Sequence, residues 1–151
     1  MRLFVALFPP AEVVGHLSRH LAGTGGLVAP GRWHVTLNFL GEVDDLPAVE
    51  RALATVPPRE PLTVRLRGGG TFGRGVTWAG VEGPLDGLHA DIRTALAGSP
   101  PDERPYTPHL TVSYRRPVEA LTGYRGPAWV ADEFVLVHSR DGYHRLRTYG
   151  F

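Results

Sequence analysis

A four-residue pattern that occurs twice, His34-Val35-Thr36-Leu37 and His109-Leu110-Thr111-Val112, constrains this chain more than anything else in it. In each copy polar and apolar residues alternate, which is the period of a half-buried β-strand. His and Thr then share one face and their apolar neighbours the other. With seven His and eleven Thr in 151 residues, chance supplies roughly half of one His-x-Thr, so a single copy says little. Two copies in the fuller His-apolar-Thr-apolar form call for two equivalent strands. The competing account is two unrelated core strands whose histidines are satisfied locally.

The surroundings of the motifs favour equivalence. Leu3 to Phe8 reads as a strand, and Val13, Leu17 and Leu21 recur at the four-residue interval of a helix packed on one side, ended by Gly23 to Gly26. Trp33 to Leu40 then alternates, with His34, Thr36 and Asn38 against Val35, Leu37 and Phe39. Further on, Val76 to Val81 is a strand, Leu85, Leu88, Ile92 and Leu96 give a helical stripe closed near Gly98, and a strand runs from His109 to Arg115. Val5 to His34 spans 29 residues and Trp78 to His109 spans 31. The expectation is a single α+β domain over residues 1–151, made of two intertwined, pseudo-symmetric α/β lobes. Each is a strand-helix-strand unit, and their antiparallel sheets lie face to face about a central groove that receives one His and one Thr from each.

Between the two units, Asp44 and Asp45 stand at a cap position, Pro47 suits a first turn, and Leu46, Val49, Leu53 and Val56 follow at helical spacing up to Pro57-Pro58. Leu62, Val64 and Leu66 alternate as a strand before a glycine-rich loop from Gly68 to Gly75. A short helix or turn follows Pro117, and Phe134 to His138 with Tyr143 to Phe151 form a closing hairpin.

Composition narrows the chemistry. A chain of this length buries about two thirds of its unfolded surface and needs no staples. It has no Cys, hence no disulfide, thiol nucleophile or Cys-based zinc site. All sixteen basic residues are Arg, which removes lysyl-nucleotide intermediates, Schiff bases and Walker-type phosphate loops. A net charge of +1 is too slight for a long non-specific nucleic-acid track, so anion recognition must be local. The apolar run from Arg2 to Phe8 is stopped by Pro9-Pro10, too short for a signal-peptide core, and no stretch approaches a membrane span. A cytoplasmic, monomeric protein without a membrane or obligate protein partner is expected.

Imidazoles are the chemistry left. Two of them in one cleft, each with an ordinary pKa near 6.5, can hold opposite protonation states at neutral pH. That suits in-line displacement at phosphorus: one His takes a proton from water, the other gives one to the leaving oxygen, and the Thr hydroxyls hold the non-bridging oxygens. Neither a metal nor a cofactor is called for. If the second strand stays regular, His109, Thr111, Ser113 and Arg115 share a face, making Arg115 the candidate phosphate-binding guanidinium, with a solvated strand-end charge as its plainer role. Arg116 points away and precedes Pro117.

Other patterns carry less. Gly68, Gly70 and Gly73 satisfy G-x-G-x-x-G but lead into a strand, where a phosphate-binding loop needs a helix. His16 and His20 lie four apart, yet Leu17 stands where a metalloprotease needs Glu. Acidic residues such as Asp44, Asp45, Asp86 and Asp102 form no pairing, and no Ser sits in a nucleophile elbow. His89, His138 and His144 are assigned surface or hydrogen-bonded structural roles.

The ordered set Arg2-Leu3-Phe4-Val5-Ala6-Leu7, Trp33-His34-Val35-Thr36-Leu37-Asn38-Phe39-Leu40-Gly41, Val76-Thr77-Trp78-Ala79-Gly80, Arg104-Pro105-Tyr106-Thr107-Pro108-His109-Leu110-Thr111-Val112 and Ser139-Arg140-Asp141-Gly142-Tyr143 resembles the 2H phosphoesterase superfamily. Within it the match is to the RNA 2′,3′-cyclic phosphodiesterases, also called 2′-5′ RNA ligases. The resemblance implies cofactor-free hydrolysis of a terminal 2′,3′-cyclic phosphate on RNA to a 2′-phosphomonoester, with 2′-5′ ligation as the reverse reaction. By it, His34 is the proton donor to the departing 3′ oxygen, His109 the base that activates water, and Thr36 and Thr111 bind phosphate. The chain departs from many relatives in having Tyr114 where they carry Arg, with Arg115 and Arg116 after it.

Two other functions fit the same residues. One keeps the site but acts on the cyclic phosphate of a small nucleotide or ADP-ribose derivative. The other is a non-catalytic module for single-stranded RNA or nucleotide, with Trp33, Phe72 and Tyr114 as stacking platforms.

Overall fold

The computed structural model describes residues 1–97, 105–115 and 117–151. Strands β1 (Arg2–Leu7), β2 (Val35–Glu42), β3 (Leu62–Phe72), β4 (Val76–Glu82), β5 (His109–Ser113), β6 (Arg125–Ala131), β7 (Glu133–Ser139) and β8 (Tyr143–Gly150) form one antiparallel sheet in the order β6-β3-β4-β5-β2-β1-β7-β8. Helices α1 (Ala11–His20), α2 (Leu46–Leu53) and α3 (Asp86–Ala95) connect them. The expected duplication is visible in the order: β8-β7-β1-β2 mirrors β6-β3-β4-β5, with a motif strand at the inner end of each half. The halves are not two separate facing sheets. They are continuous through a seam of one residue pair, Val35 with Leu110.

The helices lie on one face. Val13, Leu17, Leu53, Leu88 and Ile92 pack there against Leu3, Val5, Leu7, Val35, Val64, Leu66 and Leu110, and nearly all of the buried apolar surface belongs to this layer. The exchange of helices holds the halves together, since α1 packs on β6 and α3 on β2, each in the opposite half. The other face of the sheet carries a small cluster of Phe4, Ala6, Val135 and Val137, flanked by Phe8 and Tyr143.

Local chemistry explains most boundaries. The Asp45 carboxylate accepts the Ala48 N–H (3.1 Å) and Pro47 sits in the first turn, as the cap reading expects. The stripes of α1 and α3 are buried as the periodicity predicts, whereas in that of α2 Leu53 is buried and Leu46, Val49 and Val56 are half-buried; the closing Gly98 lies outside the described residues, as do Asp102, Arg104 and Arg116.

Two readings need correction. The glycine-rich stretch is strand as far as Phe72, with only a tight turn at Gly73 to Gly75. Gly70 is there because the Trp78 ring lies on the strand: a Cβ at Gly70 would sit 2.5 Å from that ring. Strand β6, which contains Gly126-Pro127, is absent from the sequence reading. It is an edge strand whose register with β3 slips between Arg65 and Arg67, and edges and bulges are where proline is tolerated.

Candidate active site

His34 stands one residue before β2 and His109 opens β5. Both strands bulge immediately beyond the motif Thr. In β2 the pairing with β1 steps from Ala6–Thr36 to Val5–Asn38, leaving Leu37 as the extra residue. In β5 the pairing with β4 steps from Trp78–Thr111 to Thr77–Ser113, leaving Val112 as the extra residue. A bulge reverses the alternation beyond it. Asn38 therefore joins the helix-side layer, where its amide donates to the His89 carbonyl (3.4 Å), and Phe39 emerges on the motif face with 67% of its surface exposed. Ser113 likewise turns inward, fully buried, and donates to the Gly26 carbonyl (2.9 Å).

The motif residues themselves stay together on the open face. His34 and His109 are close enough for the charge of one to act on the other. The regular strand that would carry Arg115 onto this face is interrupted, and Tyr114 occupies that place. It stands near the Thr111 and Tyr143 side chains, while the Arg115 amide is tied to Ser113 Oγ (3.1 Å).

The two imidazoles are held alike. His34 Nδ1 is 2.8 Å from the Arg32 carbonyl, and His109 Nδ1 is 2.7 Å from the Thr107 carbonyl, each two residues upstream. A carbonyl can only accept, so Nδ1 carries the hydrogen in both rings and Nε2 is the nitrogen left for proton transfer.

Aromatic collars fix the ring planes. Around His34 are Phe4 (centroids 4.9 Å), Tyr143 (5.1 Å, edge-on) and Phe8 (5.9 Å), and around His109 are Phe72 (4.9 Å, edge-on) and Trp78 (5.8 Å). Burial in this collar pushes the His34 pKa below the ordinary imidazole value. The hydrogen bond to Arg32 opposes the shift, and the charges of His109 and Arg32 add to it.

Carbonyls at the seam are satisfied from outside the ladder. Among the described residues, β2 has no paired residue on its β5 side beyond Val35. The Thr36 carbonyl instead accepts the Tyr106 hydroxyl (3.0 Å), and the Leu37 carbonyl accepts His89 Nδ1–H (2.7 Å). Tyr106 and His89 stack face to face at 4.1 Å, forming one wedge behind the first motif. In the second half the Val112 carbonyl accepts the Val28 N–H (2.8 Å). His89 is thus a structural member of the site's support, as a hydrogen-bonded role anticipates.

Other sequence candidates lie elsewhere. His16 Nδ1 and Tyr124 Oη share a 2.8 Å hydrogen bond and His20 Nε2–H donates to the Ala120 carbonyl (2.6 Å), tying α1 to the segment before β6. Trp33 is buried in the helix-side layer, 2% exposed, and offers no stacking face, whereas Phe72 and Tyr114 are open. Among the described residues no group of three His, Asp or Glu is arranged to hold a metal.

Sequence reasoning passed over two arginines. The Arg32 guanidinium lies 4.6 Å over the Tyr143 ring, and Arg145 lies 3.9 Å over Phe8. A signal for Arg32 was its place two residues before the motif His. Arg145 had none, since a bulge in β8 decides its face.

Fold and site together define a class: a duplicated antiparallel α/β scaffold in which each half contributes one His-x-Thr to a common face. The family description of the 2′-5′ RNA ligase superfamily matches residues 9–139, and the chain belongs to that superfamily. A curated relative, the RNA 2′,3′-cyclic phosphodiesterase of Geobacillus stearothermophilus, is 34% identical over an alignment 99 residues long that covers 58% of this chain and 32% of the relative. This chain therefore matches only about a third of that relative's length. Escherichia coli LigT in its apo form superposes with a TM-score of 0.79 at 30% identity, covering 99% of this chain and 96% of that one. Protein TT0787 of Thermus thermophilus gives 0.76 at 28% identity, covering 99% and 97%. LigT complexed with 3′-AMP gives 0.77 at 29%, again covering 99% and 97%.

Proposed function

We propose that this protein hydrolyses the 2′,3′-cyclic phosphate at an RNA end to a 2′-phosphomonoester, using His34 and His109 as the acid and base and no metal. The observation that carries the reading is the matched tethering of the two imidazoles. Each has Nδ1–H committed to a carbonyl two residues upstream, which leaves two Nε2 atoms on one sheet face as the proton-transfer groups. Membership in the superfamily and the activity named for the Geobacillus relative support the same chemistry.

Water attacks phosphorus and loses a proton to His109. The P–O3′ bond breaks, the 3′ oxygen takes a proton from His34, and the phosphate stays on the 2′ oxygen. Thr36 and Thr111 donate to the non-bridging oxygens. Arg32, whose charge reaches both His34 and Tyr114, supplies the guanidinium, in place of Arg115. Burial disfavours the charged His34 ring, which makes its imidazolium the stronger donor. An anionic phosphate arriving beside it restores the proton. With a 5′ hydroxyl in place of water the same groups run the same displacement, breaking the P–O3′ bond and forming a 2′-5′ bond. In water hydrolysis dominates.

An oligonucleotide ending in a 2′,3′-cyclic phosphate, incubated in EDTA, is expected to yield the 2′-phosphate, with a loss of at least about 100-fold in His34→Ala or His109→Ala. A metal requirement, or full activity in either variant, overturns the proposal.

A further inference from the structure

The two halves are matched in their motifs but not in their charge. Strand β8 presents Tyr143 opposite Ser139 and Arg145 opposite Val137. Val137 belongs to the open-face cluster with Phe4, Ala6 and Val135, so Arg145 stands on the same face as His34. A register slip between Leu136 and Val137 then turns Arg147 to the other face, where it pairs with Glu50 at 2.9 Å. Two guanidiniums consequently flank His34. Arg32 lies over Tyr143, 4.6 Å from the ring centre, and Arg145 lies over Phe8 at 3.9 Å, each of those rings being in turn packed against His34.

Neither guanidinium makes a hydrogen bond or ion pair among the described residues, whereas Arg59, Arg67 and Arg147 each have a carboxylate partner. Around His109 the collar is Phe72 and Trp78, with no cation stacked on either ring among the described residues. An arginine held flat on an aromatic ring keeps its N–H donors at the rim, spaced to grip a phosphate in bidentate fashion. Arg32 is close enough to His34 to act on its charge and serves the reacting phosphate. Arg145 sits on Phe8, whose ring lies farther from His34 (5.9 Å between centroids) than that of Tyr143 (5.1 Å), in place for the next anion of a strand.

We propose that Arg145, seated on Phe8, is a second phosphate subsite that binds the phosphodiester linking the cyclic-phosphate nucleotide to the rest of its chain. This rests on the reaction proposed above and names its substrate class: the end of an oligonucleotide, in preference to a mononucleoside cyclic phosphate.

The test compares a nucleoside 2′,3′-cyclic phosphate with a short oligonucleotide bearing the same end, using wild type, Arg145→Gln and Arg147→Gln. The last removes an equal charge from the opposite face. The oligonucleotide is expected to be the better substrate, and Arg145→Gln to lose about tenfold in its kcat/KM, mostly through KM, the worth of one charge-assisted contact. The mononucleotide should be unaffected by either change. Arg145→Gln should also lessen the salt dependence of oligonucleotide binding by about one phosphate contact. Equal effects on both substrates, no effect on either, or an Arg147→Gln effect as large, overturns the subsite.

Affinity for a labelled oligonucleotide with a terminal 2′-phosphate, measured in the His34→Ala/His109→Ala protein, separates the two readings. If wild type opens no cyclic phosphate yet Arg145→Gln still weakens this binding selectively, the reaction falls and the subsite stands. If binding is also unchanged, both fall.

Discussion

The wedge behind the first motif offers a quantitative test. Strand β2 carries Thr36 and follows directly on His34, yet it meets β5 at one residue pair, and the Thr36 carbonyl is bonded across the seam by the Tyr106 hydroxyl at 3.0 Å. Burial above all, and then the Asp86 charge, hold that phenol protonated far above the ordinary tyrosine range, so it remains a donor throughout the working pH range. Tyr106→Phe keeps the ring and its 4.1 Å stack on His89 but leaves the carbonyl without this donor. Loss of one partner of a buried hydrogen bond costs about 1–3 kcal/mol, which for a chain of this length lowers Tm by about 4–8 °C at the middle of that range. Because the carbonyl belongs to Thr36 itself, kcat for cyclic-phosphate hydrolysis should fall more than KM rises. Differential scanning calorimetry together with steady-state kinetics reads both. A Tm within about 1 °C of wild type, with kcat unchanged, refutes the idea that Tyr106 holds the motif strand in place.

Further outcomes follow from the same geometry. Gly70→Ala drives a methyl to within 2.5 Å of the Trp78 ring beside His109 and should cost about 1–3 kcal/mol; a Tm within about 1 °C of wild type would contradict this. Inorganic phosphate should bind more tightly as pH falls, with proton uptake measurable by calorimetry in buffers of different ionisation enthalpy, because the anion raises a His34 pKa that the free protein holds below 6.5. His34→Ala should lessen that uptake, and an uptake unchanged in the variant contradicts the assignment. Arg32→Gln should raise the NMR titration midpoint of His34 only part of the way to 6.5, since burial, the larger cause, remains. A midpoint that does not move excludes Arg32 from the site.

The repeat, the three helices and both motifs were legible because each rests on local periodicity. What the sequence concealed has one physical origin. Bulges at Leu37 and Val112 break a two-residue alternation that reads as uninterrupted in the letters, so Asn38 and Ser113 move inward while Phe39 and Tyr114 move outward. A bulge depends on the partner strand's register, which a single strand's sequence does not contain. Strand β6 was hidden for a related reason, since Pro127 is tolerated only because that strand lies at the sheet edge. The cations beside His34 come from a turn and from a strand more than a hundred residues later, and the order of strands in the sheet alone brings them to one ring.

Whether His34 and His109 divide the work of acid and base is tested most directly by the pH dependence of kcat/KM on an oligonucleotide 2′,3′-cyclic phosphate in wild type, His34→Ala and His109→Ala. Wild type should give a bell with two limbs, one of them below the ordinary imidazole pKa because of the lowered His34. Each single variant should lose one limb, and the two should lose opposite limbs. A bell that keeps its shape in either variant contradicts the two-histidine mechanism.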